Sequence, residues 1–457
     1  MKIINPATEQ IISEVEVDSP EVIQSVWEVL ADGQRRWAKI SMRERLKAIE
    51  RFYELLDQQQ DDLAHTLTSE MGKPLNQAKG EVQGARSRIS WFLEHAEKYL
   101  ADEWIEQEAG NGQMIRWDPL GVVGNISAWN YPYLVGVNVF IPALLAGNSV
   151  MYKPSEYATL TGLKIEELLH QAGIPRNVFQ MVTGGKEAGE AMLDLPLDGY
   201  FFTGSNRTGQ YIYERVAKKM VPCQMELGGK DPLYVSADNK NIAAVAQAAA
   251  EGAFYNAGQS CCAVERIYVH HSLYEAFTEA FVAETKTFKI GDPLAEDTFI
   301  GPLARKAQVE FLQKQVGDAV IKGAEILAGE ERWRDKGYYF IPTVLGDVTH
   351  SMEIMTEESF GPIIGIQAVK DDAEAIELMQ DTQYGLTAAV YADQWKSAEP
   401  ILRQMRTGTV YWNCCDRLRP GLPWSGRQHS GIGTTLSYLG VRSFAQPKAF
   451  HLNGIWT

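Results

Sequence analysis

From about residue 114 onward, short apolar segments alternate with segments of helical periodicity. Strands that are apolar on both faces and joined by helices through short links form parallel sheets covered by helices. Such sheets bind ligands at the carboxyl ends of their strands. The first series of expected strands and helices is GVVGNISAW, NVFIPALLAGN, SVMYKP, TLTGLKIEELLHQAG, VFQMVTG, GYFFTGS and TGQYIYERVAKKM. The sequence therefore predicts an α/β fold with a ligand site at one sheet edge.

A second series of the same kind begins after Glu226. It contains DPLYVS, the alanine-rich helix NIAAVAQAAAEGAFYNAG, ERIYVHH, GYYFIPTVL, IIGIQAV, TAAVYAD and GTVYWN. The first hundred residues are predicted to be mainly helical, because apolar residues recur there at helical spacing. A chain of 457 residues is too long for one ordinary core,. At least two α/β domains are therefore expected.

Charge and cysteine usage limit the functional classes. A formal net charge of -16 does not fit a nucleic-acid surface, which requires a basic face,. The segment MKIINPATEQ lacks the apolar region of a secretory signal, and no apolar run is long enough for a membrane helix,. The five cysteines show no zinc-binding spacing,. Free thiols, no metal site and a cytoplasmic location are expected.

Two adjacent cysteines, Cys261 and Cys262, follow the alanine-rich helix in NAGQSCCAVER. Gly258 can end that helix in a left-handed conformation, and the next strand starts a few residues later. Helix–loop–strand junctions expose functional groups in α/β proteins. The pair is therefore either a reactive thiol with its neighbour or two small residues that fill a turn.

Two further segments place polar groups at strand ends. Glu226 closes an apolar segment in MELGGKDP, and a carboxylate in an apolar setting is a candidate general base,. Asn130 ends a strand in AWNYPY, where its amide could donate to an oxyanion,. A salt-bridged glutamate and an asparagine turn are the structural alternatives.

Glycine-containing turns follow two other expected strands, in FFTGSNRTG and VTGGKEAG. Backbone amides and a helix N-terminus can hold a phosphate there, although neither segment has a GxGxxG or Walker pattern. In YKPSE, Lys153 and Glu156 flank a strand end and suit ribose hydroxyls.

Together these segments identify a family. The chain resembles the aldehyde dehydrogenases over nearly its whole length, because AWNYP, PALLAGN, YKPSE, FTGS, MELGGKDP, FYNAGQSC, EESFGPI, YGLTAAVY and HSGIG occur in that family's order. The resemblance implies a Rossmann-type cofactor domain, an α/β catalytic domain and a small β oligomerisation element. The implied boundaries are 1–103 and 118–226 for the cofactor domain, 227–430 for the catalytic domain, and 104–117 and 431–457 for the oligomerisation element. A homodimer or homotetramer is expected.

The resemblance also assigns the catalytic roles. Cys261, two places after the glutamine of GQxC, would be the nucleophile that adds to an aldehyde, flanked by Ser260 and Cys262,. Asn130 and the Cys261 backbone N–H would hold the oxyanion. Glu226 would activate the water that hydrolyses the thioester, which argues against a coenzyme-A-acylating member. The expected reaction is oxidation of an aldehyde to a free acid.

The same resemblance assigns a dinucleotide site. Trp129 and Ser205 would line the pyrophosphate, Lys153 and Glu156 the adenosine ribose, and Glu358 the nicotinamide ribose. The complete expected set is Trp129, Lys153, Ser155, Glu156, Gly204, Ser205, Glu358 and Phe360. A carboxylate at position 156 would repel a 2′-phosphate, so NAD is expected over NADP, although some members with this glutamate use both.

The substrate pocket is expected to be an aromatic-lined tunnel. Its predicted residues are Tyr131, Tyr133, Tyr255, Ser260, Cys262 and Trp424, of which Trp424 replaces the usual phenylalanine. Such a lining favours apolar or aromatic aldehydes, with betaine or amino-aldehydes as an alternative through cation–π contact.

A semialdehyde is a further alternative. Members that oxidise succinic semialdehyde have arginines at the positions of Asn138 and Tyr255, so Arg417 or Arg419 would have to replace them. Val139 stands where many members have a lysine.

Two other classes of function remain open. One is a non-catalytic binding or structural member of the fold, which would not require the thiol, the base and the amide donor together. The other is a cysteine hydrolase that pairs the thiol with His270 or His271,.

Overall fold

The computed structural model describes residues 1–108, 111–329 and 336–454. The chain begins with an antiparallel ribbon of β1 (Lys2–Ile4) and β2 (Ile11–Glu14), which the sequence did not predict. The expected helical region follows, as α1 (Pro20–Trp37), α2 (Met42–Gln58), α3 (Gln60–Met71) and α4 (Leu75–Leu100).

The first α/β series forms a mainly parallel sheet. Its strands are β5 (Val122–Ile126), β6 (Ser149–Lys153), β7 (Phe179–Met181), β8 (Gly199–Thr203) and β9 (Cys223–Glu226), joined by α5 (Pro132–Ala146), α6 (Thr159–Gln171), α7 (Lys186–Asp194) and α8 (Asn206–Ala217). A late strand, β19 (Gly431–Ile432), adds antiparallel to β9. Within the described residues the spatial order is β19-β9-β8-β5-β6-β7. This order places the ends of β5, β6, β8 and β9 along one edge.

The second series forms another sheet. Its strands are β10 (Asp231–Val235), β11 (Val264–His270), β12 (Glu325–Ala328), β13 (Thr343–Gly346), β14 (Ile363–Val369), β16 (Thr387–Tyr391) and β17 (Thr409–Trp412). Its helices are α9 (Ile242–Phe254), α10 (Tyr274–Thr285), α11 (Lys306–Ile321), α12 (Glu353–Thr356), α13 (Asp372–Gln380) and α14 (Trp395–Leu402). In the described chain the order is β12-β13-β14-β11-β10-β16-β17, and only β12 pairs antiparallel. The predicted α/β fold is confirmed.

Smaller elements complete the chain. β15 (Tyr384–Gly385) pairs with β18 (Arg427–Gln428), and α15 (Ser437–Arg442) leads into β20 (Ala445–Asn453). In the expected oligomerisation element, β3 (Glu103–Glu108) pairs with β4 (Asn111–Pro119), and β20 pairs with β4 along its whole length. Positions 109–110 and 455–457 of the expected oligomerisation element lie outside the described residues. No helix in the described ranges is both long enough and apolar enough to cross a membrane.

Candidate active site

Apart from Tyr133, every residue that the sequence assigns to catalysis, cofactor or substrate lines one cavity of about 1640 Å³. The cavity wall includes residues at the carboxyl ends of β5, β6, β8 and β9 and the connection from α9 to β11. Because parallel strands end at the same sheet edge, residues separated by up to three hundred positions meet there. The structure therefore brings the predicted site residues together.

The cysteine loop has an unusual backbone. After α9 a short 3₁₀ turn spans Tyr255–Gly258, and Asn256, Ala257 and Gly258 have φ values of 55°, 53° and 69°. The left-handed Gly258 was predicted, but the two residues before it were not. Three successive residues in this region reverse the chain tightly, so that Cys261 lines the cavity half-buried and Cys262 is buried,.

The amide of Asn130 is tied to this loop. Its Nδ2 donates to the Gln259 carbonyl at 3.1 Å, two residues before Cys261. Asn256 Nδ2 donates to the Gln259 carbonyl at 3.1 Å and to the Asn130 carbonyl at 3.3 Å. A primary amide has two donor hydrogens, so one remains to meet an oxyanion beside the cysteine. These hydrogen bonds thus fix the position of the Asn130 amide relative to the loop that carries Cys261.

A buried ion pair supports Asn130 from behind. Lys73 pairs with Glu81, and its Nζ donates to the Asn130 carbonyl at 2.7 Å. Glu81 Oε1 accepts from the Tyr133 backbone N–H at 2.8 Å, at the start of α5. Burial lowers the pKa of Lys73 and raises the pKa of Glu81, and each partner opposes the other's shift. No local pattern predicted this pair, because neither residue lies in a motif that the sequence analysis identified.

Glu226 has the environment of a general base. It ends β9 and accepts hydrogen bonds from Thr435 Oγ1 at 2.9 Å and Gln224 Nε2 at 3.4 Å. Burial raises the pKa of its carboxyl to about 7, while these hydrogen bonds and the charge of Arg88 oppose the rise. A carboxylate of this pKa can take up a proton near neutral pH.

One end of the cavity has the features of a ribose and phosphate site. Lys153 is buried at the end of β6, where burial lowers its pKa, and its Nζ donates to the Pro154 carbonyl at 3.1 Å. Ser155 Oγ donates to Glu156 Oε2 at 3.2 Å. Ser205, after Gly204, caps the N-terminus of α8, and such a helix end attracts phosphate,.

Glu358 and Phe360 face this groove from the second sheet. Glu358 Oε1 accepts from the Gly229 N–H at 3.0 Å, and burial with the nearby charge of Glu265 raises its pKa to about 8. A Cβ at Gly228 would collide with that carboxylate, so any other residue there would displace Glu358 from this position. Phe360 packs edge-on against Trp129 with ring centroids 5.6 Å apart.

The substrate end contains the predicted rings with one exception. Tyr131, Tyr255 and Trp424 line the cavity, and Lys73 Nζ lies 3.7 Å from the Tyr131 ring centroid. Tyr133 was predicted to line the tunnel, which is wrong. It is buried in the core, where its hydroxyl donates to the Leu63 carbonyl at 3.3 Å. Helical periodicity turns position 133 away from the face that carries Tyr131 and Leu134.

The sequence missed two charged residues at this end. Asp416 Oδ1 accepts from Cys262 Sγ at 2.9 Å and Ser260 Oγ at 3.2 Å, and burial raises its pKa to about 6. Arg88 of α4 contacts Asn138 and also lines the cavity. Asp416 stands directly before Arg417, which the sequence analysis names as a candidate substrate contact, and that position was the available signal. For Arg88 the signal was its helical spacing from Gly80 and Gly84.

Comparison with known proteins agrees with this geometry. A model of the aldehyde dehydrogenase family matches residues 1–450. An aminoaldehyde dehydrogenase of Arabidopsis thaliana is 34% identical over 463 residues, covering 98% of this chain and 91% of that protein. A glutarate-semialdehyde dehydrogenase of Pseudomonas putida is 33% identical over 450 residues, covering 98% of this chain and 93% of that protein.

A solved structure shows the same fold. Betaine aldehyde dehydrogenase from Staphylococcus aureus, in complex with NAD⁺, superimposes with a TM-score of 0.94 at 29% identity, covering 99% of this chain and 94% of that chain. The superposition covers the residues of both sheets. The chain belongs to the aldehyde dehydrogenase family.

Proposed function

We propose that this chain oxidises an aldehyde to the carboxylic acid with NAD⁺, using Cys261 as nucleophile, Asn130 as oxyanion donor and Glu226 as general base. One observation carries the proposal. The Asn130 amide is bonded to the backbone of the Cys261 loop, and Glu226, with its raised pKa, lines the same cavity. A packing role for the cysteines alone would not require these three groups in one cavity.

The first step belongs to Cys261. Its thiolate adds to the carbonyl carbon, and the carbonyl oxygen becomes an oxyanion. The free Nδ2 hydrogen of Asn130 and the Cys261 backbone N–H donate to that oxygen. Because the Gln259 carbonyl already fixes Asn130, the donor needs no rearrangement as charge develops.

The residues at the other end of the cavity fit a dinucleotide. Lys153 and Glu156 would hold the adenosine ribose, Ser205 and Trp129 the pyrophosphate, and Glu358 the nicotinamide ribose. The helix cap at Ser205 and the close approach of Gly228 to Glu358 support this assignment,. A bound nicotinamide would supply the acceptor for the hydride that leaves the carbon attached to Cys261, and loss of that hydride converts the oxyanion adduct into a thioester. The carboxylate of Glu156 favours NAD over NADP by repelling a 2′-phosphate.

Glu226 completes the reaction. Its carboxylate removes a proton from a water molecule, and the resulting hydroxide adds to the thioester carbon. The carbon–sulfur bond then breaks, so that the acid leaves and the thiolate of Cys261 returns. The proton taken by Glu226 passes to solvent before the next turnover.

The proposal also covers the substrate class, the assembly and the location of the protein. The aromatic rings supported apolar or aromatic aldehydes, but Arg88 and Asp416 add charge to the same cavity. We therefore do not restrict the proposal to apolar substrates.

The sheet formed by β3, β4 and β20 is the one that we propose mediates dimer or tetramer formation. A cytoplasmic location remains a prediction. His270 and His271 are not among the described residues lining the cavity, which removes support for a cysteine hydrolase.

The proposal is tested by measuring the initial rate of NAD reduction, followed by the absorbance of reduced NAD, with apolar, cationic and anionic aldehydes. Wild-type protein should reduce NAD with at least one class, and Cys261→Ala should lose turnover. Cys223→Ala is the matched control, because Cys223 is a half-buried thiol on β9 whose burial raises its pKa to about 12. Equal activity of both variants would contradict the assignment.

A further inference from the structure

One face of α4 contributes two glycines and one arginine to the cavity wall. Gly80, Gly84 and Arg88 follow each other at four-residue spacing, so they lie on the same helix face, and all three line the cavity,. A Cβ at Gly84 would lie 3.1 Å from Leu134 Cδ2, and one at Gly80 would lie 3.6 Å from the Tyr255 hydroxyl. The two glycines thus let Leu134 and Tyr255 pack closely against this face of the helix, and Arg88 follows on the same face.

Arg88 is held in place from one side only. Its Nη1 donates to the Leu134 carbonyl and to Asn138 Oδ1, both at 2.9 Å. Its Nε and Nη2 make no hydrogen bond within the described residues, and no carboxylate there forms an ion pair with it. The residue is only 8% exposed, but it lines the cavity, so a ligand that enters the cavity can reach these two nitrogens.

The guanidinium keeps its charge in this setting. Burial lowers its pKa to about 10, which still leaves it cationic at neutral pH. The carboxylates whose charge acts on it are otherwise engaged, because Glu81 pairs with Lys73 and Glu226 is half protonated near neutral pH. A buried charge without a partner is costly. The missing partner is an anion that enters the cavity.

We infer that Arg88 binds a carboxylate at the far end of the substrate, so that the enzyme acts on aldehydes with an anionic tail. The inference rests on the proposed function, which supplies the aldehyde at the other end. The free Nε and Nη2 form one edge of a planar fork, and such an edge binds both oxygens of a carboxylate. Nη1, through Asn138 and Leu134, fixes the direction in which that edge faces.

Asp416 is the rival recognition group, and it would select a cationic tail instead. Its Oδ1 already accepts from Cys262 and Ser260, and burial raises its pKa to about 6, although the charges of Arg417 and Lys73 oppose the rise. Donors of this chain therefore already occupy Oδ1 of Asp416. The Nε and Nη2 atoms of Arg88 have no such partner among the described residues, and this difference favours an anionic substrate.

The test compares substrates that differ only in tail charge. Initial rates are measured with glutaric semialdehyde, its neutral amide 5-oxopentanamide, and 5-aminopentanal, for wild type, Arg88→Gln and Arg86→Gln. Arg86 is the control, because it lies on the same helix and pairs with Asp57 away from the cavity. For the anionic aldehyde, Arg88→Gln should lower kcat/KM about 100-fold, mainly through KM. For the neutral amide, it should change kcat/KM by less than about threefold.

Equal losses on the charged and neutral substrates would overturn the inference, because they would assign Arg88 to the fold or the catalytic groups. Preference of the wild type for the cationic aldehyde would also overturn it and would point to Asp416. If Arg88→Gln does not fold, Arg88→Lys replaces it. Lysine keeps the positive charge but lacks the planar fork of the guanidinium, so it should weaken the binding of the anionic aldehyde alone. An unchanged KM for that aldehyde would contradict the inference.

Calorimetric titration separates this inference from the proposed function. The probes are glutaramate, which keeps one tail carboxylate, and pentanediamide, in which that carboxylate is replaced by a second amide. Wild-type protein should bind glutaramate about tenfold more tightly than pentanediamide, and Arg88→Gln should remove the difference. That result would support the anion site even if no aldehyde were oxidised. Equal binding of both probes by wild type would refute the site even if aldehydes were oxidised.

Discussion

The Glu226 carboxyl depends on its protonation state to act. With its pKa raised to about 7, it is a protonated acid below that pH and a competent base above it. We predict that kcat rises with pH through an apparent pKa of about 7. Glu226→Gln should slow turnover about 10²- to 10⁴-fold, the usual contribution of a general base, and remove this rise. Rate–pH profiles of both proteins provide the check, and a rise that persists in the variant would assign the ionisation elsewhere.

Replacement of Lys73 tests how much the buried Lys73–Glu81 ion pair, which contacts Asn130, contributes to stability. Lys73→Met leaves the buried Glu81 carboxylate without its cation, and breaking such a pair typically costs about 3–5 kcal/mol,. Lys79→Met is the matched control, because Lys79 pairs with the exposed Asp61 and should change stability by less than about 1 kcal/mol,. Urea unfolding should separate the two variants. Similar stabilities would show that the buried pair contributes little.

At the residue scale, local motifs identified the reactive groups but not their supports. Cys261, Asn130 and Glu226 lie in segments whose glycines and strand ends are readable from sequence. Lys73, in the link between α3 and α4, and Arg88, on α4, act across the fold from a region that precedes the first sheet. Their importance depends on which elements pack together, and no local periodicity reports that.

At the element scale, the turn before Cys261 is the most constrained segment of the site. Gly258 has φ 69°, and a Cβ there would lie 2.6 Å from the Gly361 carbonyl carbon. We predict that Gly258→Ala lowers stability by about 1–3 kcal/mol and reduces kcat, because the loop must shift. Thermal unfolding and initial rates measure the two effects.

Gly317→Ala provides the contrasting control. Gly317 lies within α11, and no atom would approach an added Cβ within 4 Å. Alanine there should raise stability by about 0.5–1 kcal/mol, because it disfavours the unfolded chain. If Gly258→Ala were equally well tolerated, the left-handed turn would not be a requirement of the site.

The alternation of apolar strands and helices predicted most elements of both sheets. It failed for the first ribbon, whose short strands are largely exposed and carry no buried pattern. It also gave no indication that Asn256 and Ala257 are left-handed, since neither residue is a glycine. Those conformations are imposed by the hydrogen bonds of the loop, which join residues far apart in sequence.

At the scale of the whole molecule, the sheet of β3, β4 and β20 leaves apolar side chains at its edge. Ile105 of β3 is 64% exposed. We predict a solution mass of two or four times the 51.0 kDa chain, and Ile105→Asp should shift it toward the single chain,. Light scattering coupled to size exclusion measures the mass. A wild-type mass of one chain would refute the assembly.

The whole-chain arrangement was predictable only in part. The sequence predicted two α/β series, but not that β19 would return to pair with β9 beside Glu226. That return also brings Thr435 close enough to donate to the Glu226 carboxylate. Pairing between segments two hundred residues apart depends on tertiary packing, which local patterns do not contain.

The central claim is that the sulfur of Cys261 carries the acyl group while Glu226 releases it. Glu226→Gln protein is mixed with NAD⁺ and the best aldehyde of the panel, quenched in acid, digested and sequenced by tandem mass spectrometry. The claim predicts an added acyl mass on Cys261 that wild-type protein does not accumulate. An acyl mass on Cys262, or turnover with no acyl mass on Cys261, would contradict it.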